Sequence, residues 1–219
     1  VGTGQGLAGN RPSQLPAAPS RPGGYWTPQW HAAHPGAWIT AGVAGARWWT
    51  TAPWSSAYAY CGCSSEPTTY DYGNYIVYQD GQVCYGGQPV ASAEQYYQQA
   101  AEIAGAGAQT ENEEWMPLGV FGAIAPGQTS PDKLLQLAVN KAGVVRGNLQ
   151  DTLSDTAVQL QGTVEKDTQR VAFSPASNPA VVIECGLWNL TQDSLPVLVH
   201  FDAKRTEQRT LVRMEAPQP

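Results

Sequence analysis

The chain has 219 residues, with 12 basic against 18 acidic side chains and a net charge of -6, long enough for one large domain or two small ones with a real core. That balance excludes a general nucleic-acid binder, which needs a basic stripe to displace counterions, and no RNP, zinc-finger or helix-turn-helix spacing is present. No apolar run approaches the roughly 20 residues of a membrane-spanning helix; only 14% of residues are charged, so the aromatic side chains depend on burial for solubility.

Residues 1–24 form a Gly/Pro/Ser/Ala leader without hydrophobic periodicity, read as an extended arm that is ordered only where something holds it. Gly4, Gly6 and Gly9 spell G-x-G-x-x-G, but no strand precedes them and no helix pattern follows, so they carry no dinucleotide reading. The chain opens on Val1, which fits either a trimmed sequence or a secretory protein that has lost its signal peptide.

Residues 25–110 form the next module. Six of the eight tryptophans and eight of the ten tyrosines lie between Tyr25 and Tyr85, yet residues 1–65 hold no Asp or Glu and only Arg11, Arg21 and Arg47 as bases. A stretch with so little ionic cover is buried against the rest of the molecule or against another molecule. Pro28, Pro35 and Pro53 punctuate the tryptophans, so short extended pieces are expected rather than helix, with Trp38–Val43 the best strand candidate. Tyr25, Trp26, Trp30 and Trp38 are the candidate anchors of an assembly interface. Such aromatic platforms can also hold sugar rings.

Further on, Tyr75–Gln79 and Gln82–Tyr85 flank Asp80-Gly81, the dipeptide of a two-residue hairpin whose central positions both take positive φ. Gly86-Gly87 offers a second turn. Ser92 and Gln95 make a capping box for a helix over 93–104, with Tyr96, Ala100, Ile103 and Ala104 on one face. Gly105–Glu114 reads as a linker. Between Trp48 and Asp132 there is no Lys or Arg, while Glu66, Asp71, Asp80, Glu94, Glu102, Glu111, Glu113 and Glu114 all fall inside. A basic leader followed by an acidic middle can steer one subunit onto the next, or merely keep the module in solution.

Residues 111–219 change character: Tyr is absent after Trp115 and all three Phe appear. Strands are expected at 118–124, 134–140, 144–149, 158–164, 170–174, 181–190, 196–201 and 210–215, joined by short polar turns. About eight hairpin-linked strands define a mainly β fold, an antiparallel meander that is barrel-like, either closed into a small barrel or strongly curled. Val181, Ile183, Cys185 and Leu187 share one face of their strand and Val182, Glu184, Trp188 and Leu190 the other, which predicts that both faces are covered.

The runs Asp71-Tyr72-Gly73-Asn74, Val90 to Tyr96, Trp115 to Phe121, Leu137 to Lys141, Val145 to Asn148 and Pro196 to Phe201 resemble a family of planctomycete-type bacterial cell-surface proteins, some of which carry the label mu-protocadherin-like. The resemblance spans about residues 70–215. It implies export and a surface role, and transfers no catalytic residue.

Four cysteines in an exported chain suggest two disulfides. A ring between Cys61 and Cys63 would be strained, so each is expected to pair with one of Cys84 and Cys185; the alternative keeps Cys185 as a buried thiol and leaves an odd cysteine to bridge subunits. His31 and His34 with Cys61 and Cys63 have neither zinc-ribbon spacing nor the Glu of a metalloprotease helix, and no metal or other cofactor is assigned. There is no G-x-S-x-G elbow, His200 sits inside an apolar strand, and the pairs Asp151/Asp155 and Glu165/Asp167 fall in predicted turns. Asn189-Leu190-Thr191 has the form of a glycosylation sequon.

The sequence therefore reads as an extracellular or cell-surface structural protein, not an enzyme, that assembles with itself into a layer or filament. Its partner is a second copy, with cell-surface polysaccharide as a further candidate. The alternative is a module that binds a small ligand or carbohydrate with the barrel or the Trp-rich face.

Overall fold

The computed structural model describes residues 15–21, 23–40, 43, 45–107, 114–124 and 130–217. Its body is a closed barrel of eight antiparallel strands: β4 (Trp115–Ile124), β5 (Lys133–Asn140), β6 (Val144–Asp151), β7 (Thr156–Glu165), β8 (Arg170–Pro175), β9 (Val182–Gly186), β10 (Ser194–His200) and β11 (Thr206–Arg213). Each strand pairs with its sequence neighbour, and β11 pairs back onto β4 to close the ring. Closure leaves no free sheet edge.

Alternation along the strands fills the interior. Leu135, Leu137 and Val139 of β5, Val171 and Phe173 of β8, and Leu195, Val197 and Val199 of β10 meet Phe121 and Leu160 in one buried cluster. The barrel is packed, not hollow. Gly147 and Gly162 fall between inward-facing positions, where a Cβ would lie 1.9 Å from the Gln136 carbonyl oxygen and 2.1 Å from that of Ala172. Only glycine fits at either position so close to the neighbouring strand's backbone. At the base of the barrel, Cys61, Leu187 and Leu190 join the same cluster. Arg213 is buried there too: its Nη1 donates to the Leu118 carbonyl at 3.0 Å, its Nη2 to that of Leu190 at 2.7 Å, and its guanidinium lies 4.7 Å from the Phe121 ring centre. Burial lowers the Arg213 pKa to about 10.

The outer wall is covered as well, by the first half of the chain. β1 (Ile76–Gln79), β2 (Gln82–Tyr85) and β3 (Gln88–Ser92) form a small antiparallel sheet. Asp80 and Gly81 adopt φ of 51° and 75°, as the hairpin reading requires. Ser92 and Gln95 make the expected capping box on α3 (Ala93–Gly105), which buries Tyr96, Ala100 and Ala104. Ala100 and Ala104 pack on Ala172 and Val182 of β8 and β9, while Tyr96 joins Leu198 of β10 beneath the small sheet. Both faces of the Val182–Gly186 strand are thus covered, as its pattern predicted. The linker proposed for Gly105–Glu114 lies largely outside the described residues, as do residues 1–14 of the leader.

The segment from Tyr25 to Cys61 differs from its reading. It holds α1 (Pro28–Ala33), a 3-10 turn (Gly45–Trp49) and α2 (Trp54–Cys61), and Trp38–Thr40 is irregular rather than a strand. Pro28 and Pro53 open helices instead of breaking them, while Pro35 follows the end of α1. Thr27 caps α1, accepting from the Trp30 amide, with Pro28 at the first helical position, where its missing N–H costs nothing. Pro53 stands before α2, and Gly62 ends it in the left-handed region.

Candidate functional site

Two regions concentrate chemistry. The first holds the aromatic residues singled out in the sequence, which lie as a strap across the outer wall of β4–β6. Tyr25, Trp26, Trp30 and Trp48 are buried and Trp38 half-buried, in one cluster with Val120, Leu134, Ala138 and Met214 of the barrel. The rings lean on one another: Trp26 lies 6.1 Å from Trp30 and 5.4 Å from Trp49, and Trp38 sits edge-on to Trp115 at 5.0 Å. Of the two fates open to this segment, burial on its own barrel is the one realised. Upstream, the Ala18 amide donates to the Glu215 carbonyl and the Glu215 amide to that of Pro16, each at 3.0 Å, around an isolated parallel bridge at Ala17, tying the arm to the segment after β11.

Polar clasps fix the strap's register. Asn148 on β6 accepts from the Trp38 amide at 2.7 Å and donates to its carbonyl at 2.9 Å, and Gln159 donates to the Gly36 carbonyl at 2.8 Å. Asp155, in the β6–β7 turn, pairs with Arg21 and accepts from Gln150 at 2.9 Å. His34 stacks on Trp30 at 4.4 Å, with Nε2 2.9 Å from the Asp155 carbonyl. Arg21 holds the Asp155 carboxyl below its ordinary range.

In the same turn Asp151 accepts from the Ser154 and Leu153 amides and lies 3.2 Å from Lys133. These contacts, the Ser154 amide foremost, bring its pKa down to about 2. A carboxyl depressed on folding contributes stability above its unfolded value, and that contribution is lost as pH falls through the folded value. The turn is therefore expected to hold at pH 5 and to lose order between about pH 4 and 2. Chemical shifts of the Leu153 and Ser154 amides followed through that range check this, and Asp151→Asn should abolish the transition.

The cysteine expectation is corrected: Cys61, Cys63, Cys84 and Cys185 are all free thiols. Cys61 and Cys185 are buried in the barrel core and Cys63 packs against it, while Cys84 belongs to the small sheet opposite Val77 and Pro89. Burial pushes the Cys61 thiol up to about 12 and raises Cys63 and Cys185 as well, so the unreactive protonated form prevails. Among the described residues no group of His, Cys, Asp and Glu is placed to hold a metal ion. The sequon asparagine, Asn189, is fully buried and exchanges two hydrogen bonds with the Tyr70 backbone.

The second region lies on the opposite part of the wall, under α3 and the small sheet. Glu184 of β9 is fully buried, and Oε2 accepts from both Nε and Nη2 of Arg170. Arg170 also donates to the Tyr96 carbonyl and to Gln99, each at 3.2 Å, and lies 3.9 Å from the Tyr96 ring centre. Burial works against the guanidinium's charge, and Glu184 more than reverses it, so the Arg170 pKa ends above its ordinary value. The other oxygen, Oε1, stands 3.1 Å from His200 Nε2, and His200 Nδ1 stands 2.9 Å from Thr206 Oγ1. The ring thus bridges the Glu184 carboxylate, to which Nε2 donates, and the Thr206 hydroxyl, which hydrogen-bonds Nδ1. Burial raises the pKa of Tyr70, Tyr72, Tyr78, Tyr85 and Tyr96 around this network, keeping the phenols protonated.

Sequence reasoning gave His200 a structural role and missed Arg170 and Glu184. The available signal was a charged or polar residue in each of three apolar strands, Glu184 in the middle of β9 and Arg170 and His200 at the ends of β8 and β10. Together the two regions define a packed up-and-down barrel wrapped on both sides by its own N-terminal half. The chain matches no family model, no curated protein and no solved structure.

Proposed function

We propose that the chain is an exported structural protein of the cell surface, not an enzyme, that assembles with copies of itself by exchanging its aromatic strap. One observation carries this reading. The strap around Tyr25, Trp26 and Trp30 and the apolar wall at Val120, Leu134 and Ala138 are complementary surfaces of one chain, joined through the irregular stretch Thr50–Pro53. A strap that fits its own barrel fits that of an identical neighbour equally well. Reciprocal exchange closes a dimer, and exchange passed along builds a filament or layer. Half-buried Trp38 and exposed Ile39 lie at the strap's outer side, available to a neighbour. The resemblance to planctomycete-type surface proteins supports the same location.

Light scattering across a concentration series tests the proposal. Mass should rise with concentration, and deletion of Thr50 and Thr51 should raise it further, because a shortened hinge prevents folding back. A monomer at every concentration, for both proteins, would overturn it.

A further inference from the structure

The chain has three histidines, and one of them joins the strap to the barrel. His34 closes α1 with its side chain only 8% exposed, stacked on the Trp30 indole at 4.4 Å. Its Nδ1 stands 2.8 Å from the Trp30 carbonyl oxygen and its Nε2 2.9 Å from that of Asp155, whose carboxylate Oδ1 is 3.4 Å from the same Nε2. A carbonyl oxygen or an ionised carboxylate has no proton to give, so both ring nitrogens are donors here. Either neutral tautomer turns one bare lone pair against a carbonyl oxygen, and a ring turned over offers carbons to both. Only the imidazolium satisfies the arrangement. Its charge is favoured further by the stacked indole and the nearby carboxylate.

The charges around this ring come from three elements. On α1, the cation of His31 is disfavoured by burial and by His34, so His31 supports docking as pH rises and opposes His34. From the leader, Arg21 pairs with the Asp155 carboxylate and lies 5.8 Å from the ring centre of Tyr25, whose phenol stays protonated through burial. From the β6–β7 turn come Asp155 itself and Asp151, the latter held by Lys133. Of these groups the histidines are the ones that change charge between about pH 5 and 8. A clasp that needs both protons is complete on the acid side of that range and lost on the alkaline side.

We propose that His34 is a proton-held clasp: carrying both ring protons it pins the strap to the β6–β7 turn, and the loss of one as pH rises frees the strap from the barrel. The clasp governs the same surfaces that strap exchange uses; only the step from a freed strap to assembly rests on that reading.

Hydrogen exchange of the full chain tests it. The Trp38 amide, which Asn148 holds at 2.7 Å, reports docking. Its protection factor, with the intrinsic rate divided out, should fall about five- to tenfold between about pH 6 and 8, the size expected for loss of one proton. Protection within β5 should stay constant. Nitrogen-15 shifts of the His34 ring in the docked strap should show two protonated nitrogens at about pH 6. His34→Gln should lower Trp38 protection on the acid side and remove its pH dependence, whereas His31→Gln should steepen it. Light scattering at the two ends of the range separates the readings: mass that rises with pH supports clasp and exchange together, and a freed strap with unchanged mass supports the clasp and counts against exchange. Trp38 protection indifferent to pH, a pH dependence that persists in His34→Gln, or a docked ring with one bare nitrogen would overturn the clasp.

Discussion

Replacing Glu184 by Gln is expected to lower stability by about 3–5 kcal/mol. The carboxylate is fully buried and takes two hydrogen bonds from Arg170 and one from His200. Gln keeps the shape but not the charge, leaving a buried guanidinium uncompensated under α3. Its amide must also turn one N–H toward a donor. The double variant Arg170→Met, Glu184→Leu removes both charges and should recover most of the loss, since well-packed apolar pairs commonly replace buried ion pairs without cost. Urea unfolding of the three proteins measures this. A loss below about 1 kcal/mol for Glu184→Gln, the scale of an exposed pair, would show that water reaches the site.

The second large effect belongs to the strap. Trp30→Ala should remove about 3–5 kcal/mol, the usual cost of truncating a buried aromatic. Its ring is 2% exposed, stacks on His34 and touches Trp26. The indole Nε1 has no hydrogen-bond partner, so the side chain acts through shape and area alone. Trp30→Phe should therefore keep most of the stability. Because the strap is an outer layer, the expected signature of Trp30→Ala is local: faster proteolysis near Thr50–Pro53, with the barrel core still protected. Global unfolding without that early cleavage would show that strap and barrel melt as one unit, and would count against strap exchange.

Much of the architecture could be read from local rules. Turn dipeptides and apolar runs located all eight barrel strands, because adjacent hairpins need only neighbouring residues to specify them. Boundaries moved where pairing extended a strand past its apolar core, as at Trp115 and Thr206. In the last part of the expected 181–190 strand, the chain instead turns at Asn189–Thr191 to cap the barrel base. Around Pro28 and Pro53 the same residue serves as breaker or as helix opener, and the outcome rests on what the helix packs against. The network of Arg170, Glu184 and His200 was hidden for a different reason. Its members stand on three strands, and only the registers of β8, β9 and β10 bring them together.

The order of the parts along the chain has a consequence for biogenesis. Residues 15–107 cover a wall that begins only at Trp115 and is completed by β11 at Arg213. At about 5–20 residues per second, the ribosome releases the indole-rich half roughly 5–20 s before the surface that shelters it exists. Newborn chains are therefore sticky for the whole of that interval. Folding of the leading half is thus deferred until the last hairpin emerges, and association between chains competes with it throughout that interval.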